Sequence, residues 1–310
     1  MGGERQIKIK QIEVRKLTKE KQKIYSYQTI KWIQMGNSIL VIKEQYQKQI
    51  PEIIEIIKRY WGTSKYHFRK GVGSKGEIQW LSYKEHNQKT ITFFRMKKNG
   101  RKIVKDTSQI LKIPISEAKY IYPLVKASHI SDKQLLWEQE PLYIIFPYEH
   151  GCKFPIPEEI FKQKAPKLYE YLKSHQDELD QQSVYNKRIQ DRKEFYGVIR
   201  VGKYTYGNCF FIMRDHTKVQ TQVVNRIRTQ WGETKIPIFD GHVSYISKNI
   251  HGYPLTCQEA KRIKELFDIV TPVRAIIEGY YDNRSIGSRL PLRIEDMIKE
   301  GVINEYKDYQ

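Results

Sequence analysis

Along the chain, short apolar runs alternate with stretches dense in Lys, Gln and Glu, and the spacing of the apolar positions sorts the runs into strands and helices. Ile7 to Val14 reads I-K-I-K-Q-I-E-V, a period-two alternation with one slip of phase at Gln11, the pattern of a half-buried strand. Ser38 to Ile42 reads as a second strand, introduced by a Gly36-Asn37 turn. Ile50, Ile53, Ile54, Ile57 and Tyr60 recur at helical spacing with Pro51 near the start, which predicts a helix over Ile50 to Trp61. Thr90 to Val104 has the form of a hairpin with its turn at Asn99-Gly100.

The middle of the chain carries the most apolar runs. Tyr120 to Val125 and Leu142 to Phe146 have the β-branched and aromatic content of buried strands, the second bracketed by Pro141 and Pro147. Pro157 stands at a plausible first helical position, with Glu158 and Glu159 where the helix dipole favours them. Ile160, Leu168, Tyr171, Leu172 and Leu179 predict a helix from Pro157 to Gln182, interrupted by Pro166. Phe195 to Arg200 and Tyr204 to Met213 read as two more strands, and Ile236 to Ile246 as a strand region with an Asp240-Gly241 hairpin turn. Thr256, with Glu259 three residues on, has the spacing of a capping box and opens a last helix that Pro272 should kink or split. The expected fold is therefore α+β, with mixed or antiparallel sheets and two long helices.

The chain has 310 residues and a formal net charge of +20, spread along its length. A spread excess of this size suggests a folded basic surface, which favours a polyanionic partner over a merely lysine-rich exterior. No apolar run approaches the roughly 20 residues needed to span a bilayer, and Met1 to Lys23 is polar and charged, so neither a membrane partner nor a secretory leader is expected. Cys152, Cys209 and Cys257 form no C-x-x-C pair, which argues against a zinc site or a disulfide framework and fits a reducing cytoplasm.

Gly71, Gly73 and Gly76 match G-x-G-x-x-G formally. The next residues, Glu77 to Tyr83, read as a strand rather than a helix, so a dinucleotide site is rejected. A basic glycine loop suits close approach to a phosphate chain, and equally a plain hairpin loop.

The ordered series P-L-V-K-A-S-H-I, I-F-P-Y, P-K-L-Y-E-Y-L-K-S-H-Q-D-E-L and R-K-E-F-Y-G-V-I-R resembles the target-recognition domain of bacterial type II N6-adenine DNA methyltransferases, over about Phe68 to Arg293. The resemblance implies a DNA target-recognition-like domain at 66–310, closed by a strand at Ser285 to Ile294, with 1–65 as an N-terminal β/α segment that could dock a partner. No [N/D]-P-P-[Y/F/W] loop is present and the sequence has no Pro-Pro pair, so no catalytic residue, cofactor site or metal site is assigned to this chain. The resemblance thus implies a non-catalytic specificity subunit of a split methyltransferase. Its partners would be double-stranded DNA and a catalytic methyltransferase subunit, in a hetero-oligomer, at the nucleoid of the cytoplasm. S-adenosylmethionine would bind that partner. Candidate DNA contacts, by resemblance and charge, are Arg69, Lys70, Lys75, Lys126, Ser128, Arg192, Lys193, Tyr196, Arg200, Arg284, Arg289 and Arg293. The pair Phe195-Tyr196 reads as strand core more readily than as base-stacking side chains.

Two alternatives come from other classes. A magnesium-dependent endonuclease or restriction subunit would need an Asp and an E-x-K on adjacent strands, and two matches occur: Asp106 with Glu117 and Lys119, and Asp215 with Glu233 and Lys235. An orphan DNA- or protein-interaction module would need neither. The eight histidines show no metal-ligand spacing, and His129, His150 and His216 read as surface or loop residues.

Overall fold

The structure is a computed structural model describing residues 7–16, 26–35, 38–100, 102–181, 193–214, 219–280 and 291–307. It is an α+β protein of two compact units, one formed by Met1–Phe68, Asp215–Val219 and Lys261–Gln310, the other by Arg69–Arg214 and Gln220–Ala260. The sequence suggested a break after residue 65 with one domain beyond it. By its contacts the chain changes unit after Phe68, and its last fifty residues belong to the first unit.

In the first unit, β1 (Ile7–Lys16), β2 (Ser26–Met35) and β3 (Ser38–Ile42) form an antiparallel sheet in chain order. The expected Gly36-Asn37 turn lies outside the described residues. Helix α1 (Ile50–Tyr60) comes next, where the periodicity predicts a helix: Ile53, Ile57 and Tyr60 are buried as expected, Ile56 joins them, Ile50 and Ile54 are half-buried, and Lys58 and Arg59 occupy the last turn where the dipole favours cations.

The chain passes into the second unit within β4 (Tyr66–Lys70), and then come the single helical turn α2 (Gly76–Gln79) and strands β5 (Trp80–His86), β6 (Thr90–Asn99) and β7 (Lys102–Pro114). Asn99 pairs with Lys102, so the hairpin turn is centred one residue later than the sequence suggested, with Gly100 at φ +57°. Next come β8 (Ile121–Val125) and β9 (Leu142–Ile145). All four β9 side chains are buried, and they alternate: Tyr143 and Ile145 enter one apolar cluster, Leu142 and Ile144 another. Both sheet faces are covered here, which is why the strand reads as an unbroken apolar run.

The expected long helix is three short ones: α3 (Glu158–Lys164), α4 (Pro166–Lys173) and α5 (Gln176–Asp180). Pro166 has no N–H and cannot continue a helix, so it starts one instead. The expected strand at Phe195–Arg200 is absent. Gly197 closes a turn on Glu194, and the Tyr148 hydroxyl both accepts from Val198 N at 2.8 Å and donates to Val198 O at 3.1 Å. A side chain thereby takes the place of a neighbouring strand. Strands β10 (Cys209–Arg214), β11 (Thr221–Asn225), β12 (Ile227–Arg228), β13 (Thr234–Lys235), β14 (Ile238–Phe239) and β15 (Val243–Lys248) complete the unit.

Its sheets run β14-β8-β9-β5-β6-β7, β11-β10-β15-β4, and the two-stranded β12-β13. Val243 N donates to Asp240 O at 2.8 Å, so Asp240-Gly241 is a turn. It is not a hairpin: β14 pairs in parallel with β8 while β15 pairs with β10, so the turn hands the chain from one sheet to the next.

Helix α6 (Cys257–Ile269) returns to the first unit through the capping box expected at Thr256. Thr256 N donates to Glu259 Oε2 at 2.8 Å, and Glu259 N donates back to Thr256 Oγ1 at 3.2 Å. Pro272 divides the segment as expected, opening α7 (Thr271–Tyr280), with α8 (Ile294–Lys299) and α9 (Val302–Lys307) beyond it. Glu278 of α7 accepts from Lys43 at 2.9 Å and Tyr46 at 3.1 Å, while Tyr60 donates to Glu300 at 2.7 Å. Of the expected closing strand, 285–290 lie outside the described residues. Pro291 to Arg293 contribute one bridge, Trp61 to Leu292, and Ile294 is already helical.

Candidate functional site

Because β14 and β8 are parallel and adjacent, their C-terminal ends deliver Asp240 and Lys126 side by side, with Asp240 N bonded to Val125 O at 3.0 Å. The glycine loop after β4 closes over the same place. Gly71 N donates to Val243 O, Val72 N to Phe239 O, and Gly73 and Ile199 exchange both backbone bonds. A Cβ on Gly71 would fall inside contact distance of the Phe239 and Asp240 carbonyl oxygens. The loop therefore needs glycine for backbone-on-backbone packing, and the N–H groups of residues 71–73 are committed to protein carbonyls rather than offered to a phosphate. The strand β4 precedes the loop and one helical turn follows it, before β5 takes over at Trp80 within the segment expected to be strand.

Ile199 leads into Arg200, exposed and held at φ +64°. A methyl on Gly241 would stand 3.3 Å from Arg200 Nη1, so the guanidinium lies against the Asp240-Gly241 turn. Lys126 rests its ammonium 5.6 Å from the centre of the Trp80 ring, and Trp80 donates to Ser74 of the glycine loop at 2.8 Å. Burial pushes the Asp240 carboxyl above the ordinary aspartate range, opposed by His242, the backbone N–H groups of Gly241 and His242, and Lys126. His129, read from sequence as a surface or loop residue, is buried beneath this edge and accepts from Lys126 N at 3.1 Å. Burial first, and the charge of Lys126 second, push its imidazole down to about 4.

No protein-family model matches this chain, and no curated protein does. The site is therefore judged on its geometry. Of the candidates nominated from sequence, Lys126 and Arg200 border the turn, Ser128 is exposed on the 3-10 turn after Lys126, and Lys75 lies on the glycine loop, paired with Glu77 at 3.2 Å. Lys70 is half-buried on β4.

The others go elsewhere. Arg69 donates to Ser247 Oγ, Asn249 O and Ile250 O and stacks on Tyr204 at 5.1 Å, which makes it a clamp on the turn after β15. Tyr196 is fully buried and donates to Ile156 O at 2.6 Å, so it contacts no ligand. Lys193 is exposed and lies over Phe154 at 4.4 Å. Arg293 belongs to the first unit, donating to Asp296 at 2.7 Å and Arg59 O at 2.6 Å. Arg192, Arg284 and Arg289 lie outside the described residues.

The endonuclease candidates are engaged in other work. Glu117 caps α4, Lys119 stacks over Tyr120, and Asp106 holds Ser108 within a bulge of β7. Lys235 is buried, donating to Ala118 O at 2.5 Å and Ile121 O at 2.9 Å. Glu233 pairs with it at 3.0 Å, and Asp215 is outside the described residues. Asp240, His242, His129 and Trp80 were missed from sequence, since nothing local marks residues 40 to 160 positions apart as neighbours. The one local signal was the Asp240-Gly241 turn with His242 after it, and it reads only as a hairpin.

Proposed function

We propose that this chain binds duplex DNA and serves as the non-catalytic specificity subunit of a two-subunit N6-adenine methyltransferase. The partner supplies the S-adenosylmethionine pocket and the chemistry. The observation that carries the reading is the convergence of Lys126 and Arg200 on the Asp240-Gly241 turn, at the C-terminal ends of two parallel strands in a chain of net charge +20. Two cations flank a carboxyl whose charged form burial disfavours, so the turn presents a phosphate chain with positive charge against a weakened negative one. In that assembly Lys126 and Arg200 hold phosphates for register, and the few kcal/mol needed to unstack a target base come from such contacts.

The test is duplex binding by fluorescence anisotropy as a function of salt. The double variant Lys126→Ala/Arg200→Ala should reduce the slope of log K against log salt by about 1.8, at roughly 0.9 per phosphate contact. Asp240→Asn should tighten binding at neutral pH. Methyl transfer to unmethylated duplex should require both this chain and its catalytic partner. Tight, saturable binding of S-adenosylmethionine to this chain alone would overturn the division of labour.

A further inference from the structure

Thr90 to Pro114 carries seven basic residues and one acidic one, more than the chain-wide excess would place there, and none of them was needed to build the site above. In the sheet, β5 pairs with β6 only as far as Leu81↔Arg95. From Met96 to Lys105 the hairpin continues as a two-stranded ribbon, paired Met96↔Lys105 to Asn99↔Lys102. One of its faces packs on the unit at two points: Met96 is buried in the apolar cluster of Trp80, and half-buried Ile103 lies where a Cβ on Gly76 would collide with it. Lys97, Asn99 and Lys102 lie on the opposite face and are exposed; Lys98 and Lys105, paired with Ile103 and Met96, spring from the packed face but are exposed as well, and β7 is the edge strand of the sheet. Trp80, on which the ribbon rests, is the same ring that carries Lys126.

We infer that this ribbon is the element that enters the major groove of duplex DNA, with Lys98, Lys102 and Lys105 on the phosphates of the groove walls and Asn99 at a base edge. The inference rests on the DNA-binding reading above and names the part that does the reading. Dimensions fit. Four residue pairs extend about 10 Å at about 3.4 Å per residue, against a B-form major groove about 12 Å wide and 8.5 Å deep that admits a two-stranded ribbon. Charge fits as well, and an amide side chain at the tip can bond an adenine edge in two places.

The experiment uses the full chain and compares Lys98→Ala/Lys102→Ala/Lys105→Ala with a control of equal charge loss in the first unit, Lys48→Ala/Lys58→Ala/Lys299→Ala. The ribbon variant should show a salt slope shallower by about 2.7, so that it loses roughly 40-fold less affinity than wild type between 50 and 200 mM salt. The control should move the slope little. Asn99→Ala should leave the slope unchanged and flatten discrimination between duplex sequences. Methyl green, which occupies the major groove, should compete with wild type where netropsin in the minor groove does not.

Equal losses in both triple variants would reduce the effect to net charge and overturn the inference. So would equal binding to an A-form RNA duplex, whose major groove is too narrow for a ribbon. An unchanged slope accompanied by self-association of the ribbon variant would make these lysines guards of an exposed sheet edge. Failure of the wild-type chain to bind duplex DNA at 50 mM salt would instead sink the functional reading itself.

Discussion

Replacing Glu117 with Ala should unfold the second unit early, and the size of the effect comes from a complete count of the donors at the start of α4. Ala165 N reaches back to Phe161 O, Pro166 has no N–H, and Tyr169 N begins the helical ladder on Ala165 O. The two N–H groups left over belong to Lys167 and Leu168, and Glu117 accepts both, at 3.1 Å on Oε1 and 2.9 Å on Oε2. Glu117 is 2% exposed and Ala165 and Leu168 are fully buried, so water replaces the carboxylate poorly. The Leu168 donor is buried and the Lys167 donor partly so, and leaving the first unsatisfied at about 1–3 kcal/mol, with a smaller share for the second, gives a loss of about 2–4 kcal/mol. For a unit of this size that lowers Tm by roughly 4–16 °C, at about 2–4 °C per kcal/mol. Glu117→Gln keeps the volume but offers one acceptor where two are needed, and should lose about half as much. Differential scanning calorimetry at pH 7 decides it. If both variants melt within 2 °C of wild type, the capping argument fails and Glu117 is again available to the endonuclease reading.

Two further predictions concern the edge at Lys126. His129 has its imidazole pushed down to about 4, below the unfolded value of about 6.5. The unfolded chain therefore binds more protons between those values, so stability is present at pH 7 and is lost as pH falls from about 6.5 toward 4, by up to about 3 kcal/mol. Urea midpoints measured across that range should show the loss, and His129→Asn should flatten it; an unchanged slope would place the titration elsewhere. Gly71→Ala should destabilise the second unit by more than about 2 kcal/mol, because the new methyl meets backbone oxygens that cannot swing aside. Gly100→Ala, whose methyl meets nothing within 4 Å, should lose only about 1 kcal/mol for its positive φ. Comparable midpoints for the two alanine variants would contradict the packing of the glycine loop.

Local chemistry determined a good part of this protein. Apolar spacing placed β1 and α1, runs of Ile and Tyr placed β8 and β9, Pro272 divided the C-terminal helices, and Thr256 with Glu259 fixed a helix start through bonds that span three residues. Each of these is decided by neighbours along the chain, so a one-dimensional reading suffices. What the sequence could not decide was anything settled by distant partners. Phe195 to Arg200 has strand composition, yet Tyr148 satisfies Val198 from fifty residues away and the segment becomes a turn. Arg69 and Tyr196 have the right side chains for DNA contacts and are consumed by Ser247, Asn249, Ile250 and Ile156. The candidate site itself exists only because β14 lies parallel to β8, which brings Asp240 beside Lys126 across more than a hundred residues. Charge and short-range pattern are written in the residues; which cation remains facing outward is decided by the fold that uses up the rest.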